Sequence, residues 1–395
     1  MTAKPETTGE SAAGAHESAE RNAQVDANID ARIDARIAEL KQKLARKLAI
    51  AAHHYQDPAI VSFADLVGDS YRLAVEAART DAEYIVLCGV GFMAESVAVL
   101  ARSDQTVLMP VVQAGCPMAG MITPAQAREV CKAVAAGGSA SPAPVVYMNS
   151  TTALKAFAGE KGGSVCTSGN AENIVRAYLD EGRRVFFAPD RNLGTNIARS
   201  LGIPEHDTFT VGAQDLDGSN PARLKDLVPA NAKIIFWDGF CPVHRQFTPA
   251  DVWQARERNP DTRVLVHPEC SSEVAKAADK AGSTEMLLRE IAEAPDGAVL
   301  AIGTESGFVD RMIAAWPGKN ISHLRKLRCS DMALTDRNSL LQTLEAIVRH
   351  EETGAPLDRI EIPEIDRENA RKALAMMVTL TEQRREKLEA KGSAT

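Results

Sequence analysis

Short apolar runs separated by helix-patterned stretches recur from residue 48 onwards. Strand-type runs stand at LAIAA (48–52), YIVLC (84–88), TVLMP (106–110), PVVYM (144–148), SVCTS (164–168), RVFFA (184–188), KIIFW (233–237), RVLVH (263–267) and AVLAI (298–302). They are apolar on both faces, as strands buried in parallel βαβ units must be. Ahead of them, Ile29, Ile33, Ile37, Leu40, Leu44 and Leu48 line one face of a predicted helix over 29–47. Residues 1–28 are rich in Ala, Glu, Ser and Thr and hold no aromatic residue, so a disordered tail is expected. Helices are predicted over 338–350 and 366–391.

The pattern converges on KIIFWDGFCPVH (233–244), where a buried strand breaks at Asp238-Gly239 and presents Cys241 on a loop. TVLMPVVQAGC runs likewise from a strand to Cys116, and NISHLRKLRC to Cys329. Ligands of α/β proteins bind at the carboxyl ends of strands. Three cysteines so placed suggest three loops meeting at an iron–sulfur site. A weak internal repeat supports this. Each unit opens on a strand ending in a polar pair: His53 and Tyr55, Tyr147 and Asn149, His267 and Glu269. Each continues to a hydroxyl at Ser70, Ser168 or Ser283-Thr284, and each later delivers its cysteine. The expected class is therefore α/β, with three α/β units and short parallel sheets around a pseudo-threefold axis. The units are 48–131, 132–243 and 244–335, with the helices of 336–391 joined to the first. The middle unit is longer, with an insertion expected near 203–230.

Composition narrows the function. The chain has 395 residues and a formal net charge of −8. That balance argues against nucleic acid as a partner. It leaves room for small anions held at helix N-termini. No run of 18 apolar residues is present, so no membrane span is expected. Seven cysteines, an odd number scattered through the chain, and a polar opening segment suit a cytoplasmic protein whose functional cysteines bind metal or react.

Three thiolates on a cluster leave one iron open to act as a Lewis acid. A rival donor set exists: Cys241-x-x-His244 with His267-x-x-Cys270 would suit tetrahedral zinc and a regulatory or binding protein. Ser70, Ser168 and Thr284 stand where helices begin. They serve either as plain N-caps or as anion-binding ends. His53, Tyr55, His267 and Glu269 are acid–base candidates. Cys88, Cys166 and Cys270 read as core thiols. His54 carries no role on this reading.

The chain resembles the quinolinate synthase family, the A protein of de novo NAD biosynthesis. The matching stretches are AHHYQ (52–56), VGDS (67–70), FMAES (92–96), AGCPMAG (114–120), YMNSTTALK (147–155), CTSGNA (166–171), PDRNLG (189–194), GFCPVH (239–244), HPEC (267–270), AGST (281–284), IGTE (302–305) and CSDM (329–332). The resemblance implies three homologous α/β/α domains around a [4Fe–4S] cluster held by Cys116, Cys241 and Cys329. It implies a transferase that condenses iminoaspartate with dihydroxyacetone phosphate to quinolinate, releasing phosphate and two waters, and a functional link to an aspartate-oxidising enzyme. The substrate-binding positions it carries over are His53, Ser70, Tyr147, Met148 through its backbone, Asn149, Ser168, His267, Glu269 and Thr284, with Tyr55 in acid–base work. A cluster-dependent hydro-lyase for another dicarboxylate is the nearest alternative.

Overall fold

The computed structural model describes residues 10–136, 140–216 and 221–392. It holds three parallel sheets. The first contains β1 (Leu48–His53), β2 (Leu66–Gly68), β3 (Tyr84–Cys88) and β4 (Thr106–Leu108), in the order β2-β1-β3-β4. The second contains β5 (Ala143–Tyr147), β6 (Ser164–Cys166), β7 (Val185–Ala188), β8 (Thr208–Val211) and β9 (Ile234–Trp237), ordered β6-β5-β7-β9-β8. The third contains β10 (Arg263–Val266), β11 (Lys280–Ala281), β12 (Val299–Gly303) and β13 (Asn320–His323), ordered β11-β10-β12-β13. Without β8, the second sheet has the order of the other two. β8 and the helix Pro221–Leu227 lie where the insertion was expected.

Because strand side chains alternate between faces, each sheet is buried on both sides. In the first, Ala51, Ile85 and Leu87 face a core shared with the second unit. Ile50, Ala52, Val86 and Cys88 face a second core with Ile37, Leu40, Leu44, Leu344 and Ile347. The helices Glu10–Leu44 and Arg337–Thr353 supply that second layer. In the third sheet Val264 and Val266 face one core and Leu265, Leu300 and Ile302 another.

Three expectations change. The first helix runs from Glu10 to Leu44, so residues 10–28 are helical where disorder was expected; residues 1–9 lie outside the described residues. This Ala- and Glu-rich stretch has no apolar face to bury, but its composition favours helix and a packed helix follows it directly. Among the residues whose burial is described, the first buried one is Ile37. Deleting residues 1–28 is therefore expected to leave turnover and the unfolding midpoint unchanged; a large loss of either would assign that segment a role.

The helix Pro124–Ala136 runs across the boundary expected at residue 131 and packs on helices Thr152–Glu160 and Pro221–Leu227, both of the second unit. The final helix, Glu364–Gly392, lies mainly against the second unit, on helices Thr152–Glu160 and Ala171–Asp180 and on β6, and keeps a hold on the first through Arg367 and Arg371, which donate to the Ala98, Val99 and Ala101 carbonyls; Arg337–Thr353 stays with the first. The reason is a notch at Gly159, where a Cβ would stand 1.9 Å from the Asn369 carbonyl oxygen. Gly159→Ala is expected to push the final helix off and cost about 1–3 kcal/mol, read as a lower midpoint in thermal unfolding.

Between these two helices, residues 357–362 run beside β4. Ile360 N–H donates to Val107 O at 2.8 Å, and Leu108 forms an antiparallel bridge with Arg359.

Candidate active site

Equivalent strands do equivalent work in the three units. The first strand of each, β1, β5 and β10, ends at a polar pair. The second, β2, β6 and β11, leads to a hydroxyl: Ser70 and Thr284 open helices, and Ser168 lies in the turn just before Ala171–Asp180. The fourth in position, β4, β9 and β13, leads to Cys116, Cys241 and Cys329. All these ends open on one cavity. It is lined by His53, Tyr55, Ser70, Tyr147, Met148, Asn149, Ser168, His267, Glu269, Thr284 and the three cysteines. Every site residue expected from the sequence thus reaches the same cavity.

Capping is done by neighbours of the hydroxyl residues. Asp69 caps the helix Ser70–Arg79, accepting from the Tyr71 and Arg72 amides at 3.1 and 2.8 Å. Ser283 accepts from the Met286 amide to cap Thr284–Glu293. Ser70 and Thr284 therefore sit just inside positively polarised helix ends, turned to a cavity.

The two histidines at strand ends share a geometry. Tyr55 N–H donates to His53 Nδ1 at 3.1 Å, and Glu269 N–H donates to His267 Nδ1 at 3.4 Å. An Nδ1 that accepts leaves the proton on Nε2. Burial lowers both groups, His267 to about 3, so each is a neutral N–H donor.

Glu269 is 2% exposed. Burial pushes its carboxyl up, but His267 and His244 with bonds from His244 and Tyr147 outweigh this and hold it low, at about 2. His244 Nδ1 stands 2.7 Å from Glu269 Oε2 and 3.2 Å from Cys241 Sγ. Its Nε2 lies 3.0 Å from Thr304 Oγ1, which lies 2.8 Å from Tyr55 Oη. A carboxylate can only accept, so His244 Nδ1–H donates to Glu269 and Nε2 accepts from Thr304. A directed chain of hydrogen bonds then runs Tyr55–Thr304–His244–Glu269. Burial, with Glu269 nearby, raises the Tyr55 hydroxyl well above its usual range and keeps it protonated. The helix Arg191–Ser200 of the second unit grips the Glu269 loop: Asn192 donates to Glu269 O at 3.2 Å, and Asn196 to Pro268 O at 2.8 Å.

All seven cysteines are free thiols. Burial pushes Cys116 up to about 12 and raises Cys241 and Cys329 as well, so bound metal is what would make them thiolates. Three soft donors on one secluded cavity fit a thiolate-held metal centre. Cys241, His244 and Glu269 also form a group with ligand atoms within 4.8 Å of one another. Of the rival zinc set, Cys241 and His244 come together with Glu269, while Cys270 Sγ turns to Gly303 O at 3.9 Å.

The model of the family described as quinolinate synthetase A protein matches residues 35–379. The chain belongs to the quinolinate synthetase A protein family. It is 41% identical over 342 residues to the quinolinate synthase of Herpetosiphon aurantiacus, covering 85% of this chain and 88% of that one. It is 39% identical to the quinolinate synthase of Geobacillus kaustophilus (85% and 90%) and 38% to that of Bacillus subtilis (85% and 89%).

The structure adds to this quinolinate synthetase site what sequence reasoning missed. Thr304 and Glu305 lay in a matched stretch without a role, and His244 stood only in the rival zinc set. For Thr304 and Glu305 the signal was the same as for the others, a polar residue just past an apolar strand, whereas His244 lies well beyond the end of β9. His54 also gains a place: buried, it accepts from Arg311 at 2.6 Å through Nδ1 and bonds Glu285 through Nε2 at 3.0 Å. It ties the end of β1 to the third unit beside Thr284. His54→Ala is expected to raise KM severalfold and leave kcat within about twofold, an expectation checked by steady-state kinetics.

Among the described residues no helix is long and apolar enough to cross a membrane.

Proposed function

We propose that this chain is a quinolinate synthase: a transferase that condenses iminoaspartate with dihydroxyacetone phosphate and releases phosphate and two waters, in NAD biosynthesis. The observation that carries this reading is the convergence of three thiols, three polar pairs and three helix starts on one cavity, in a chain of this family. Cys116, Cys241 and Cys329 would hold a [4Fe–4S] cluster, which supplies an open iron able to polarise a substrate oxygen.

The remaining steps fall to the chain's own side chains. Ser70, Ser168 and Thr284, at helix ends, bind the carboxylates and phosphate. His53 and His267, neutral and with the proton on Nε2, donate hydrogen bonds to substrate oxygens and fix the pose. Tyr147, Asn149 and the Met148 backbone complete that cradle. Glu269 is the base, and the protons it takes are shared with His244. Tyr55 is the acid at the other end of the same chain, refilled through Thr304. Two dehydrations need one group that takes a proton and another that gives it. This wire joins the two along one cavity.

The reading treats the three α/β units as copies of one design and places the enzyme in the cytoplasm, where seven free thiols persist. An aspartate-oxidising enzyme would supply the imine.

The test is anaerobic purification with quantification of iron, acid-labile sulfide and zinc, followed by the condensation assay. About four iron and four sulfide per chain and quinolinate formed only when both substrates are present are expected. Stoichiometric zinc without sulfide, or turnover of a dicarboxylate without the phosphorylated substrate, would overturn the reading.

A further inference from the structure

Two buried acids beside the cavity have no part in the chemistry above. Asp190 is fully buried and follows β7, and Glu305 is 1% exposed and follows β12. Each caps the helix behind the third strand of its unit, Arg191–Ser200 and Ser306–Ala315. One oxygen does the capping: Asp190 Oδ1 accepts from the Leu193 amide at 2.7 Å, and Glu305 Oε2 from the Gly307 amide at 2.6 Å. The other oxygen reaches the cysteine loop of the same unit. Asp190 Oδ2 accepts from the Cys241 amide at 3.1 Å, and Glu305 Oε1 from the Cys329 amide at 3.2 Å.

Capping alone does not call for this. Serine or threonine caps as well as a carboxylate, and a buried carboxylate carries a large desolvation cost. Both oxygens of each acid face amide donors, while burial with Glu269 nearby raises the Asp190 carboxyl well above the usual range and burial raises Glu305 to about 7. The first unit breaks the pattern. Val90 holds the equivalent place after β3, 2% exposed and with no side-chain cap. There the helix start bonds the cysteine loop directly, Gly91 N–H to Ala114 O at 2.8 Å.

We propose that Asp190 and Glu305 are positioning residues for the metal centre, each fixing one cysteine ligand through its amide and holding the reduction potential of the centre low. Amide N–H groups aimed at ligand sulfurs stabilise the reduced centre, and a side chain that engages the cysteine's own amide removes that donor. Asparagine or glutamine in either place must turn its NH₂ toward one of the two backbone donors, which releases it. No acid takes this place on the Cys116 side, so the three ligands are held unequally. The inference rests on the three-cysteine reading.

The experiment uses full-length holoenzyme prepared without oxygen, as Asp190→Asn, Glu305→Gln and the double variant. Iron and sulfide content, thermal unfolding and the midpoint potential from a redox titration followed by electron paramagnetic resonance are read. Each neutral variant is expected to keep its iron and to shift the midpoint to more positive potential, the double variant further than either. Asp190→Ala, which frees the loop, is expected to lose iron to a chelator severalfold faster than the parent. Full clusters with unshifted midpoints in both neutral variants would reduce the two acids to plain caps and overturn the proposal. If one neutral variant fails to fold, the other decides alone. A parent protein without iron and sulfide would instead sink the three-cysteine reading.

Discussion

Alanine at Cys116, Cys241 or Cys329 is expected to remove sulfide-bound iron and lower turnover at least about a thousandfold, the few kcal/mol of charge stabilisation that a Lewis-acid metal contributes. Alanine at Cys88, Cys131, Cys166 or Cys270 should leave iron and turnover near the parent values. The contrast follows from placement. The first three thiols line the cavity, whereas Cys131 and Cys166 sit in the core shared by the first two units and Cys88 and Cys270 in separate cores. Loss of one methylene-sized group there costs stability, not chemistry. Cys270→Ala is the sharpest control, because the rival zinc set needs it. Iron analysis and the condensation assay on all seven variants check this, and loss of metal in Cys270→Ala with retention in Cys116→Ala would reverse the assignment.

Glu269→Gln is expected to keep the metal centre and lower kcat by about two to four orders of magnitude, the range for removing a positioned general base. The cause is specific to this pocket. His244 Nδ1 donates to Glu269 Oε2 at 2.7 Å and Asn149 Nδ2 approaches Oε1 at 3.4 Å. A glutamine keeps its oxygen toward His244 only by turning its NH₂ toward Asn149, and in either pose it cannot take up a proton. Tyr55 is then cut off from the proton it needs. Thr304→Val should show a smaller loss of the same kind, since it removes the link and leaves both ends. Single-turnover kinetics on protein matched for iron content checks both, and full turnover in Glu269→Gln would remove the base from the mechanism.

Much of this was legible in the chain because the chemistry sits where apolar runs stop. His53 closes LAIAAH, Tyr147 closes APVVY, and His267 follows RVLV. The ends of strands buried on both faces are therefore visible as the first polar letters. Three of the edge strands, β2, β8 and β11, were not legible for the opposite reason. β2 and β11 are three and two residues long, too short to show a period, and the edge strand β8 is half-exposed along most of its length. The relay through His244 and Thr304 was invisible because its members come from loops after β9, β10, β12 and β1. Nothing in local spacing says that these loops touch. The docking of the final helix was hidden similarly, since the notch that receives it belongs to Gly159, far back in the chain.

The short run of residues 357–362 has a consequence for truncation. A sheet border with open N–H and C=O groups is a template on which another chain can pair. Here the protein completes its own border: Ile360 takes Val107 O beside β4, and Pro363, which has no N–H to offer, follows. A product ending before Leu357 would therefore lose more than a helix. It would carry an adhesive margin, and self-association on storage, rather than a simple drop in melting temperature, would be its first symptom.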